Sequence, residues 1–183
     1  MTEEKAILLC QKGDMTAFSY LYDEYVKPIY RFIYYKTHHK ETTEDLVSIT
    51  FTKVLEKIES FDGSKASFKT WVYQIARNNV TDHYRTFKQH EDIVDRWDLS
   101  TKENISDDTS NKLQIERVEK YLKTLKPEAR EILLLRLWGG HSFKEISEMT
   151  NKTEASCKMM FKRNIEKIRT DLALLIILIN LIA

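Results

Sequence analysis

Glycine and proline are scarce: the 183 residues include 4 Gly and 2 Pro. A β-sandwich or α/β fold of this length needs many more turn residues, so a mostly helical chain is favoured. Cysteine is nearly absent. Cys10 and Cys157 form neither a disulfide framework nor a CxxC metal pair, which points to a reducing compartment. Cys157 reads as a small core residue rather than a nucleophile. A surplus of one charge sign is also missing. Lys and Arg number 29 against 28 Asp and Glu, for a net charge of +1. That excludes a histone-like polycation and a wholly acidic tail, but local clustering still leaves nucleic acid open as a partner. The start, Met1-Thr2-Glu3-Glu4-Lys5, is charged and no apolar signal core comes after it, so a cytoplasmic location is expected. HExxH, a Gly-rich phosphate loop and a nucleophile elbow are all missing. The five histidines (His38, His39, His83, His90, His141) are scattered. No catalytic residue, metal site or cofactor is expected, and His38-His39 is expected to face solvent in a polar break.

Hydrophobic residues make up 42% of the chain, enough for a folded core. Charge divides the chain into three parts. Residues 1–89 carry net +1, residues 90–112 net −4 and residues 113–183 net +4. The middle part, with Asp107-Asp108-Thr109-Ser110-Asn111, has few apolar residues and no sustained period. It reads as a flexible acidic linker between two small helical domains. Apolar periodicity places helices at roughly 3–12, 16–35, 42–60 (capped by Thr42 or Thr43), 67–87, 113–125, 127–138, 142–149 and from 154 onward. Asp62-Gly63 marks a turn, Pro127 suits a first helical turn, and Gly139-Gly140 ends that helix. Ser142 and Glu145 have capping-box spacing.

The last helices suggest a helix-turn-helix. Ser142 to Met149 is short, Thr150 to Thr153 is a tight polar connection, and Thr153 can cap the next helix. On a helical wheel, Cys157, Met160, Phe161, Ile165 and Ile168 share one face with Asn164. Lys158, Met159, Lys162, Arg163, Glu166 and Arg169 share the other. A packed face backed by four cations suits a helix that enters the DNA major groove.

Two earlier helices also carry a second face. Val47, Phe51, Val54, Leu55 and Ile58 form one stripe of the 42–60 helix. Leu46 and Ile49 lie on its other side beside Asp45, Thr50 and Lys53, and are expected near water as a protein-binding surface. In the 67–87 helix, Phe68, Val72, Ile75, Ala76 and Phe87 point one way. Gln74, Arg77, Asn78, Thr81, Tyr84, Arg85 and Lys88 point the other, with Trp71 and Asp82 at the boundary. Cations, amides and rings on one surface suit phosphates and unstacked bases.

Thr43-Glu-Asp-Leu-Val-Ser-Ile-Thr-Phe51 and Phe68-Lys-Thr-Trp-Val-Tyr-Gln-Ile-Ala-Arg-Asn-Asn-Val-Thr-Asp-His-Tyr-Arg85 resemble region 2 of extracytoplasmic-function (ECF) sigma factors of the sigma-70 family. Leu125-Lys-Pro-Glu-Ala-Arg-Glu-Ile-Leu133, Phe143-Lys-Glu-Ile-Ser147 and Ser156-Cys-Lys-Met-Met-Phe-Lys-Arg163 resemble region 4. The resemblance implies an all-α protein with region 2 in 1–89 and the region 4 helix-turn-helix in 113–171, joined by the linker of 90–112; the apolar tail, 172–183, lies outside the family pattern. It implies a transcription initiation subunit that directs core RNA polymerase to promoters. Asp45, Leu46, Ser48, Ile49 and Lys53 would meet the polymerase. Ser64, Lys65, Trp71, Gln74, Arg77, Asn78, Thr81, Tyr84 and Arg85 would engage the promoter minus-10 element. Thr153, Glu154, Ser156, Lys158, Met159, Lys162 and Arg163 would engage the minus-35 element. An anti-sigma factor is a further implied partner. Ser48 and Ile49 depart from the common Gln and Glu, Met159-Met160 from a common Ser-Arg pair, and Asn79 from a usually apolar core position. Asn79 therefore needs a partner if buried. A stand-alone helix-turn-helix regulator is the alternative, in which Leu46 and Ile49 would be buried.

Eleven of the twelve residues Leu172 to Ala183 are apolar. A twelve-residue helix spans ~18 Å, short of a ~30 Å hydrocarbon core. Packing against protein is the expectation for this tail, with shallow membrane insertion as the alternative.

Overall fold

The computed structural model describes residues 1–90 and 120–169, with side chains over 1–86 and 120–168. The acidic segment beyond residue 90 and the apolar tail lie outside the described residues. The chain divides into two compact units, Met1–Thr101 and Lys102–Ala183. Among the described residues there is no strand.

The first unit holds α1 (Glu3–Gln11), α2 (Phe18–Thr37), α3 (Lys40–Lys57) and α4 (Phe68–His90). Short 3₁₀ turns lie at Met15–Ala17 and Ile58–Ser60. Helices α2, α3 and α4 pack pairwise, and α1 lies on α2. Helix α2 runs through Pro28 without ending. An interior proline costs ~3 kcal/mol, and the burial of Leu21, Tyr25, Ile29, Phe32 and Ile33 on the same helix offsets it. The core mixes aliphatic side chains with buried rings. Phe32 meets Tyr73 edge-on at 5.2 Å, and Tyr25 meets Phe68 at 5.6 Å. The Tyr25 hydroxyl donates to the Glu3 carboxylate, which ties α1 to α2. Burial raises the Tyr25 phenol pKa first, and the bond to Glu3 raises it further.

The connection between α2 and α3 differs from the polar break expected of it. His38 ends α2 in a left-handed conformation at φ 53°, and its N–H donates to the Tyr34 carbonyl at 2.7 Å. Its side chain is buried rather than solvent-facing, and His39 is half-buried. His39, not Thr42 or Thr43, caps α3: its Nδ1 accepts from the Thr42 N–H at 3.2 Å. An imidazole acceptor can replace the hydroxyl or carboxylate of the usual caps, which a search for Ser, Thr, Asp or Asn passes over. Thr43 instead turns its hydroxyl back to the His39 carbonyl at 2.7 Å.

The second unit is described from residue 120. A helical stretch at 120–124 precedes α5 (Pro127–Leu137), α6 (Phe143–Thr150) and α7 (Glu154–Arg169). Pro127 sits at the start of α5, where its missing N–H leaves nothing unsatisfied. Both arms of the Ser142–Glu145 capping box form at the start of α6. Asn151 closes α6 in the left-handed region at φ 53°. Glycine is required at 139, since a Cβ there would stand 2.6 Å from the His141 ring and 2.8 Å from the Leu135 carbonyl oxygen. The core is aliphatic: Leu122, Ile132 to Leu135, Ile146 and Ile168. Arg130 is buried beneath it and donates to the carbonyls of Leu122 (2.8 Å) and Leu125 (3.1 Å), the end of the preceding helical stretch.

Candidate functional site

Three surfaces carry the residues singled out from the sequence. The first is the helix-turn-helix. The Thr153 hydroxyl accepts from the Ser156 N–H at 3.2 Å and so starts α7. Cys157 and Ile168 are buried, Asn164 nearly so, and Met160, Phe161 and Ile165 are half-buried. The Asn164 amide donates to the Met160 carbonyl at 2.7 Å, and the Tyr121 hydroxyl donates to the Asn164 carbonyl at 3.0 Å. The opposite face exposes Lys158, Met159, Lys162 and Arg163, with Thr153 and Glu154 exposed at the N-terminal turn and Ser156 half-buried. Lys158 pairs with Glu154 at 2.6 Å, and Lys162 stands 3.9 Å from Glu166. These pairs are one turn apart on the surface and weakly held, so phosphates can displace them.

The second surface is the outer face of α4 with the turn before it. Asp62 organises the turn: its carboxylate accepts from the Ser64 N–H (3.0 Å) and hydroxyl (2.7 Å) and faces Lys65 at 3.4 Å. The Ser64 bonds, chiefly, hold the Asp62 carboxyl below the ordinary value. Trp71 is half-buried, with its ring 5.0 Å from Phe61 and 5.6 Å from Phe68. A rigid indole with one edge in water is a stacking platform held by the core. Beyond it Gln74 and Arg77 are half-buried, and Asn78, Thr81, Tyr84 and Arg85 are exposed. The Gln74 amide donates to Asn78 at 3.1 Å, and the Tyr84 hydroxyl reaches back to the Lys36 carbonyl at 3.1 Å. Ile75, expected in the core, is half-buried, because Tyr73 and Val80 take the inner positions.

The third surface lies between α3 and α4, and here two expectations are corrected. Leu46, expected near water, is only 4% exposed, while Ile49 is 44% exposed. Leu55, assigned to the buried stripe, is 38% exposed. Helix α3 is gripped by α2 on one side and α4 on the other, so its buried arc is rotated towards Leu46 and away from Leu55. Leu46 still lines an open groove of about 490 Å³ with Ile49 and Lys53 from α3 and Asn79, Asp82, His83 and Thr86 from α4. Asp45 and Ser48 are exposed on the same helix. The sequence alone gives these α4 residues no part in the groove; their spacing at 79, 82, 83 and 86 is the signal that a helix offers this stripe. Burial lowers the His83 pKa, against a smaller upward pull from Asp45.

Among the described residues no group of three or more His, Cys, Asp or Glu gathers to hold a metal. No described helix is long and apolar enough to cross a membrane.

Residues 21–89 match the family Sigma-70 region 2, and residues 115–168 match Sigma-70, region 4. SigM, an ECF RNA polymerase sigma factor of Bacillus subtilis, is 31% identical over 150 residues, covering 81% of this chain and 91% of SigM. This chain is an RNA polymerase sigma factor of the ECF type, within the sigma-70 family. BldN, an ECF sigma factor of Streptomyces coelicolor, is also 31% identical, over 157 residues that cover 82% of this sigma factor but 58% of BldN. The fold agrees with two solved chains, each at 18% identity. CnrH, solved with the cytosolic domain of CnrY, superposes with a TM-score of 0.67 over 91% of this chain and 94% of that one. RpoE of Bartonella quintana, solved with the anti-sigma factor NepR, superposes with a TM-score of 0.64 over 85% and 96%.

Proposed function

We propose that this sigma factor divides promoter recognition between its two units and grips core RNA polymerase through the first. Residues 1–89 serve as region 2, 90–112 as the connecting linker and 113–171 as region 4, and the protein works in the cytoplasm. Asp45, Leu46, Ser48, Ile49 and Lys53 form the polymerase contact. The observation that carries this is the exposed Ile49 over a groove floored by Leu46, an apolar face ringed by polar groups that a free regulator would have no reason to keep. The exposure of Ile49, which a stand-alone regulator would bury, disfavours that alternative.

Ser64, Lys65, Trp71, Gln74, Arg77, Asn78, Thr81, Tyr84 and Arg85 hold the melted minus-10 strand. Thr153, Glu154, Ser156, Lys158, Met159, Lys162 and Arg163 read the minus-35 duplex. Good bidentate contacts to base edges discriminate by ~1–3 kcal/mol each, and stacking a base on an aromatic ring is worth about the same. Melting costs ~1.4 kcal/mol per stacked step. A chain of net charge +1 therefore binds promoters weakly alone and tightly with core polymerase. The chain contributes positioning and strand capture and no catalytic residue of its own. The solved complex of RpoE with an anti-sigma factor supports an anti-sigma partner for this chain as well.

The test is run-off transcription with purified core polymerase on the DNA upstream of this protein's own coding sequence. Transcripts that start at a defined site only when the chain is added are expected. Tight sequence-specific duplex binding by the chain alone, or no change in start sites, overturns the proposal.

A further inference from the structure

Asn79 carries an amide into the core of the first unit, where it is 4% exposed. A buried amide is tolerated only when both of its ends find partners. Here both do. The Asn79 Nδ2 donates to the Thr50 hydroxyl at 2.9 Å, and the Lys53 ammonium donates to the Asn79 Oδ1 at 2.5 Å. The Thr50 hydroxyl in turn donates to the Leu46 carbonyl at 2.6 Å. This fixes the direction of the relay. Thr50 has one proton and gives it to the α3 backbone, so it must accept from the amide nitrogen. The amide oxygen is therefore left facing the lysine. The inner end of the relay is anchored on backbone, and its outer end is the Lys53 ammonium at the groove.

We propose that Asn79 is a positioning residue that holds Lys53 as a fixed cation in the α3–α4 groove, and that the segment of core polymerase seated there presents a carboxylate beside aliphatic side chains. The inference rests on the reading of this face as the polymerase contact. Charge complementarity selects the occupant. Among the described residues the Lys53 ammonium meets no carboxylate within ion-pair distance. The nearby groove carboxylate, Asp82, is paired with Arg85 at 3.2 Å. The partner of Lys53 is a neutral amide, which leaves its charge and two N–H donors for an incoming acid. Ile49 and Leu46, one and two turns before Lys53 on α3, supply the apolar lining of the same groove. A lysine held in place loses less freedom on binding than one swinging in water.

The experiment measures affinity of the full chain for core polymerase at low and high salt, for the wild type, Lys53→Gln, Asn79→Leu, the double variant and Ile49→Asp. Circular dichroism and thermal melting check the fold of each. Asn79→Leu leaves the Thr50–Leu46 bond in place; should it fail to fold, Thr50→Val cuts the same relay at its anchor. Lys53→Gln and Asn79→Leu are each expected to weaken binding by about tenfold at low salt and to flatten its salt dependence. The double variant is expected to be no worse than either single one, because Asn79 acts through Lys53. If Ile49→Asp leaves affinity unchanged, the interface reading itself falls. If Ile49→Asp weakens binding while Asn79→Leu and Lys53→Gln do not, or if the two effects multiply, the positioning role alone is overturned.

Discussion

The two units are stabilised by different materials. The first buries rings among its aliphatic chains, Phe32 on Tyr73 and Tyr25 on Phe68, and the half-buried Phe61 and Trp71 rest on Phe68. The second buries aliphatic chains around one arginine, with Arg130 stitching the end of a helix to the next. The difference matches the work proposed for each. A duplex-reading helix needs one cationic face and a firm back, which a small aliphatic core and good caps provide. A strand-capturing face needs aromatic rings that are rigid at the root and wet at the edge. Trp71 obtains that from the rings it rests on, since its neighbour Phe68 is a core ring and Phe61 is half-buried.

If that contrast is right, the second unit depends on a few local devices. Replacing Arg130 by Met should destabilise it most, by about 2–4 kcal/mol, because two carbonyls at the helix end lose a charged donor. Thermal unfolding followed by near-ultraviolet dichroism reads this. A loss below about 0.5 kcal/mol would mean that the aliphatic core suffices without the arginine. Ser142→Ala removes one arm of the capping box and should cost about 1 kcal/mol. Minus-35 binding by the holoenzyme should weaken only as far as α6 frays. In the first unit the smallest effect is electrostatic. His83 has a lowered pKa, with burial its main cause and 6.5 its ordinary value. Below that value the unfolded chain takes up a proton that the folded chain resists, so stability falls as pH drops from 7 through 6.5 and levels off once the folded histidine also titrates. His83→Gln should flatten that part of the stability profile in denaturant titrations; an unchanged slope would remove His83 as its source.

Much of the molecule is visible in one dimension. The helix-turn-helix is legible because its signals are local: Ser142 and Glu145 three residues apart, Thr153 before a helix, and cations recurring at one turn's spacing on α7. Local hydrogen bonds and a 3.6-residue period are properties of a segment, and a segment is what a sequence displays. The aromatic and amide stripe of α4 is legible for the same reason. The cap at His39 is not, because an imidazole becomes a cap only when its ring is turned towards the Thr42 N–H. Periodicity puts Leu46 near water and Leu55 inside, yet Leu46 is buried and Leu55 exposed. A helical wheel shows which residues share a side, but not how wide an arc two neighbouring helices will cover.

The order of the residues along the chain was enough to establish an all-helical protein and the cationic face of α7, since both arise from composition, period and local caps, and its motif stretches carried the resemblance to the family. Packing alone decided how far α3 rolled between α2 and α4, and therefore that Leu46 floors a groove. It also decided that Asn79, Thr50 and Lys53 meet. Residues on separate helices come within hydrogen-bonding reach only after the core has set the register between those helices, and no spacing within either segment encodes that distance.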